Sequence, residues 1–187
     1  MPPGFAAELR RAAAASGVVP RLVAEQPEEW RLGRLTAVVD HRRGTAQVRY
    51  ARNAIARSPA AAPELVVSCA RALARLATGS LEPARFGPAA AAAYAAMLAR
   101  GGQTPGHRVD IVDLWPEIAR AAGRDRYSRA QLAWDLARLR AERGLVLPEG
   151  RIALDVATGR AAASRRIWVE DESGAGQYYR SFRLVPP

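Results

Sequence analysis

The sequence predicts an α+β chain in two parts: an N-terminal helix, β-hairpin and helix unit, then a C-terminal module of helices and short strands that ends in an extra β-hairpin. Three observations predict it. Apolar residues recur at helical spacing in several stretches, the period switches to alternation between Arg31 and Tyr50 and again after Gly144, and glycine and proline punctuate the segments between. The expected domains are 1–80 and 84–187, divided by the loop from about Thr78 to Pro83.

Phe5, Leu9 and a run of alanines predict a first helix to about Ser16, ended by Gly17. Arg31–Asp40 and Thr45–Tyr50 read as two strands joined through His41, Arg42, Arg43 and Gly44, with Val38, Val48 and Tyr50 as apolar anchors. From Pro59 the chain turns into a helix on which Leu65, Cys69, Leu73 and Leu76 form one stripe. A lone cysteine on that stripe excludes an internal disulfide and reads as a buried packing thiol rather than a nucleophile.

In the second part, Pro88–Arg100 reads as a helix carrying Tyr94, Met97 and Leu98, closed by Gly101 and Gly102. Val109 and Ile111 alternate with Asp110 and Val112 as a short strand does. Asp113 is a candidate cap for a helix over Leu114–Ala122, which keeps Pro116 in the first turn, where its missing N–H costs nothing. Leu114, Trp115, Ile118 and Ala122 form its apolar side, and Gly123, Arg124, Asp125 and Arg126 make a short connection. The next helix has a complete N-terminal signature: Ser128 as cap, Gln131 three residues on, and Tyr127 with Leu132 as a hydrophobic staple. Leu132, Leu136 and Leu139 form its stripe, and Gly144 supplies the left-handed residue that ends it. Leu145–Leu147, a Pro148-Glu149-Gly150 turn, and Ile152, Leu154 and Val156 make a hairpin. Ile167–Val169 and Tyr178–Val185 make a further one around the acidic turn Glu170–Gly176.

The order helix, strand, helix, helix, hairpin over residues 88–156 resembles the winged helix-turn-helix superfamily, about a third of the chain, with no specific family indicated. The resemblance implies duplex DNA as partner, RNA as an alternative, and a regulator or DNA-associated subunit acting as a dimer or within a larger assembly. It also implies that the capped helix enters the major groove and the hairpin approaches the backbone, which makes Arg129, Gln131, Arg138 and the hairpin residue Arg151 the facing candidates. Arg124, Arg126 and Ser128 complete that set. Arg34, Arg42, Arg43, Arg49, Arg52 and Arg57 give the N-terminal hairpin and its exit a second basic surface, for which a solvated edge kept soluble by charge is the plainer reading. Opposite the leucines, Trp134 and Ala137 are too apolar for base reading. Cover by a second domain or subunit would make the module a protein-interaction scaffold instead.

Composition agrees with a polyanion partner: net charge is +10, and all 28 basic residues are arginine. Without lysine there is no Schiff base and no phosphate-loop lysine. The Gly174-Ala175-Gly176 run lacks the third glycine of a phosphate loop, and Asp171 with Glu172 reads as a solvated turn. His41 and His107 have no cysteine or carboxylate at metal-ligand spacing, and Asp40 beside His41 lacks a nucleophile elbow, so both read as turn residues. No cofactor, no metal and no enzymatic activity are expected. No stretch has the length of a membrane span, and the first residues lack a secretory pattern, so a cytoplasmic protein is expected.

Overall fold

The computed structural model describes residues 4–158 and 163–185 and is mixed α+β, divided into two compact units. One comprises Met1–Thr78 with Glu172–Gly174, the other Gly79–Asp171 with Ala175–Pro187. Residues 1–3, 159–162 and 186–187, which include the outer ends of both expected domains, lie outside the described residues.

The N-terminal unit carries more β structure than its sequence suggests. Helix α1 (Phe5–Ala14) leads into a five-stranded antiparallel meander, β1 (Arg21–Glu25), β2 (Glu28–Leu32), β3 (Leu35–Asp40), β4 (Thr45–Tyr50) and β5 (Asn53–Pro59), followed by α2 (Ala62–Gly79). The expected single strand Arg31–Asp40 is broken at Gly33, whose φ of 59° makes a turn, and β1 and β5 flank the expected pair. Both were hidden for the same reason. They are edge strands with few buried residues, so neither alternates apolar with polar. In β3 the pattern is clear, with Leu35, Ala37 and Val39 buried and the residues between them half-exposed. The core joins this sheet face to α1 through Phe5, which meets the ring of Trp30 edge-on. Glu28, also buried, accepts from Trp30 Nε1 at 2.7 Å and bonds His41 Nε2 at 2.9 Å, so His41 closes the core polar node rather than a turn alone.

The C-terminal unit contains α3 (Pro83–Gly101), β6 (Val109–Asp110), α4 (Ile111–Ala121), α5 (Arg129–Arg143), β7 (Val146–Leu147), β8 (Gly150–Val156), a 3-10 turn (Ala163–Arg165), β9 (Ile167–Glu170) and β10 (Gly176–Val185). Its sheet runs β6-β10-β8-β7, with β9 also on β10. The expected extra hairpin is therefore no appendage, because its second strand is the centre of this sheet and pairs with three others.

Two helix starts differ from the sequence reading. Helix α3 begins at Pro83, and α4 begins at Ile111 after Asp110, so Pro88 and Pro116 are interior and each removes one backbone bond. Burial of Ile111 with Leu114 and Ile118 on one stripe outweighs that loss. The supposed strand consequently shrinks to Val109–Asp110, and Asp113 lies in the first turn rather than at the cap.

Helix α5 is held by a buried carboxylate. Asp135 Oδ2 accepts from Tyr127 Oη at 2.6 Å and from the Leu81 backbone N–H at 2.8 Å. One oxygen thereby ties the entry of α3 and the α4–α5 connection to α5. Burial pushes the Asp135 carboxyl up to about 6, against the opposing pull of its hydrogen bonds from Tyr127, Leu81 and Ser80 and of Arg138. A carboxyl raised on folding contributes stability that is complete below its unfolded value and lost as pH rises through about 6. Asp135→Asn keeps an acceptor and stays neutral. In urea unfolding, its stability should therefore gain on wild type as pH rises from about 4, and the gain should level off above about 6; a gap independent of pH would contradict this. Asp135→Ala should cost about 2–4 kcal/mol near pH 4, by orphaning buried donors, and less as pH rises through about 6.

Candidate nucleic-acid interface

Helix α5 folds as its sequence predicts at both ends. Gln131 N–H donates to Ser128 Oγ at 3.3 Å, Ser128 N–H donates to Gln131 Oε1 at 2.6 Å, and Gly144 closes the helix at φ 60°. Its sides differ from a groove reader. Ala130, Leu132, Ala133, Trp134, Asp135, Leu136 and Leu139 are all buried, so burial runs around most of the helix, and Ala137 is half-buried. The predicted facing residues are correspondingly engaged within the unit. Ser128 and Gln131 cap each other. Arg129 donates to the Ser164 carbonyl, and its guanidinium lies 5.6 Å from the Trp115 ring centroid. Arg138 donates to the Leu81 carbonyl and reaches Glu82 at 3.5 Å, with its side chain 21% exposed. Arg124 is half-buried, Arg126 is exposed in the α4–α5 connection, and Arg151 is exposed on β8.

Arg151 belongs to a larger basic surface that the sequence did not reveal. In the register of β6, β10 and β8, Val109 and Phe182 face the core with Ile152, while Asp110, Ser181 and Asp155 form a row on the opposite face, followed by Arg183 and Arg151. Arg108 pairs with Asp155 at 3.1 Å, and Arg183 approaches the same carboxylate at 4.0 Å. Ser181 Oγ donates to Asp155 Oδ2 at 3.0 Å. Arg180 reaches Asp110 at 3.6 Å, and Arg165, from the 3-10 turn, bonds Asp110 and reaches Asp113 at 3.0 Å. Arg108, Arg151, Arg165, Arg180 and Arg183 thus stand against Asp110, Asp113 and Asp155. Because Arg165 binds Asp113 of α4 and Arg129 binds Ser164, the strip continues from the sheet to the starts of α4 and α5.

The second predicted basic set is dispersed. Arg42 and Arg43 are exposed at the β3–β4 turn, where Asp40 Oδ1 accepts both of their backbone N–H groups at 3.1 Å. Arg34 bonds Glu172, Arg49 is held by Gln47 at 2.6 Å and lies 3.9 Å from Glu29, and Arg52 sits in the β4–β5 turn at φ 65°. Arg57 is exposed on β5. Cys69 is buried, and burial pushes its thiol up to about 12, so it remains protonated at neutral pH. Among the described residues, no group of three or more His, Cys, Asp or Glu is placed to hold a metal ion, and no helix is long and apolar enough to cross a membrane.

No family model matches the chain, and no curated protein and no solved structure matches it.

The engaged residues should behave as structural ones. Ser128→Ala removes the cap and is expected to cost about 1 kcal/mol in chemical denaturation. Arg138→Ala removes the bond to the Leu81 carbonyl and should cost about 1–3 kcal/mol, whereas Arg126→Ala should stay within about 0.5 kcal/mol of wild type. Equal stability of the two arginine variants would show that Arg138 contributes no tertiary hold.

Proposed function

We propose that the chain is a non-enzymatic nucleic-acid-binding protein whose C-terminal unit is of winged-helix character and grips the phosphate backbone of DNA. The carrying observation is the excess of arginine over aspartate on the exposed face of the β6-β10-β8 sheet, continued through Arg165 to Arg129. In this reading β6, β10 and β8 serve as the three sheet strands of a winged helix. The wing is then drawn from the described part of the β8–β10 connection, the 3-10 turn and β9, and the Pro148–Gly150 turn is a minor addition. Helix α5 acts as a packing post that presents only its first turn, so affinity comes from phosphate contacts rather than from base edges. Duplex DNA is the expected partner and RNA the alternative, with a regulatory or DNA-associated role.

A protein-interaction subunit is the second reading. It is favoured by the edge strand β1, where Val19 just before it and Leu22 and Val23 within it are exposed at 85%, 37% and 53%.

Titration of the full chain against random duplex, single-stranded DNA and RNA at several salt concentrations separates the two. Binding should weaken steeply with salt. Arg108→Ala combined with Arg151→Ala should flatten the logarithmic salt slope by about two and weaken affinity on every sequence alike, each lost phosphate contact removing about 0.9. Absence of salt-dependent binding to all three nucleic acids would overturn the proposal.

A further inference from the structure

Beside the arginine strip, α4 and the α4–α5 connection enclose an open depression of about 490 Å³. Trp115, Pro116 and Ala119 supply its apolar wall, and Arg120 and Arg124 its cations. Trp115 is half-exposed, and its ring is fixed because Nε1 donates to the Tyr127 carbonyl at 2.6 Å while the Arg129 guanidinium lies over it. The neighbours Pro116 and Ala119 are small enough to leave room for a flat group along the indole. Arg124 is half-buried and lines the depression, and its Nε is buried without a hydrogen-bond partner. Arg120 shares Glu117 with Arg100 and keeps its side chain 70% exposed, and Asp125 is the carboxylate that lines the depression.

A flat aromatic wall beside two arginines suits a planar base joined to a phosphate. We propose that this depression takes an unpaired nucleotide, stacking its base along Trp115 and giving its phosphate to Arg124, with Arg120 at the mouth. The inference rests on the nucleic-acid reading above and narrows it, because a base inside a duplex is not free to enter such a site. Aromatic platforms flanked by basic grooves hold single strands in this way, without sequence preference. Trp115 then secures a strand whose neighbouring phosphates follow Arg129 and Arg165.

The test uses the full chain and a single-stranded oligonucleotide carrying 5-iodouridine, with the same sequence as a duplex for comparison. Irradiation should crosslink the single strand at Trp115, identified by mass spectrometry, and the duplex should not react there. Trp115→Leu should weaken single-strand binding by about tenfold or more while leaving the salt slope unchanged, since stacking is lost and no charge is removed. Trp115→Phe should retain most of the affinity, with far-ultraviolet circular dichroism checking the fold of both variants. Salt-dependent binding with crosslinks elsewhere, or with a folded Trp115→Leu chain binding as tightly as wild type, overturns the nucleotide site and leaves the backbone-binding reading standing. Failure of single strand and duplex alike to bind overturns both.

Discussion

The C-terminal unit is organised around a carboxylate that has left water. Asp135 is 2% exposed and accepts from the Tyr127 hydroxyl and the Leu81 N–H through one oxygen. Removing a carboxyl from solvent is expensive unless donors replace the lost hydration. Here the donors to Oδ2 come from two different connections, so these bonds also fix where the chain enters α3 and where α4 passes into α5. Arg138 reinforces the same place from the next turn of the helix by binding the Leu81 carbonyl. The peptide of Leu81 is consequently held at both its N–H and its C=O.

That arrangement decides the character of α5. A helix anchored on one side through Asp135 and Arg138, and packed through Leu132, Leu136 and Leu139, has little side left for a partner. Its two arginines with groove-facing potential are both held within the unit, Arg138 on a carbonyl and a carboxylate, Arg129 on a carbonyl and an indole. The exposed positive charge is displaced to the sheet face and the outer flank of α4. On the sheet, Asp155 draws in Arg108 and Arg183, and Asp110 draws in Arg165 and Arg180. Such exposed pairs contribute little to stability, and a phosphate can exchange for the carboxylate at small cost. In the proposed reading, such a surface makes backbone contacts that form and break along a strand rather than in a fixed sequence register.

The N-terminal unit solves a similar problem differently. Its buried Glu28 is satisfied within one sheet and its adjoining turn, by Trp30 two residues away and by His41 at the end of β3, with Phe5 of α1 packed edge-on to the imidazole. The polar node is thus enclosed by aromatic groups. The two outer strands lack such closure, and β1 in particular exposes apolar side chains on an unpaired edge.

What the sequence determined by itself was everything written within about four residues. The capping box at Ser128 and Gln131, the end of α5 at Gly144, the β7–β8 hairpin and the packing role of Cys69 follow from neighbours along the chain, and local hydrogen bonds and periodic burial need no distant partner. The unpatterned edge strands β1 and β5 lay beyond that reach, because an exposed edge has no alternation to detect. Only the tertiary structure decided the use of Arg138, whose carbonyl partner is 57 positions away, and the central place of β10, which brings Ser181 between Asp110 and Asp155. A guanidinium looks the same in sequence whether it faces solvent or a backbone carbonyl; the distinction arises when segments remote along the chain are packed together, and that packing turned the expected reading helix into a support and left the charge on the sheet.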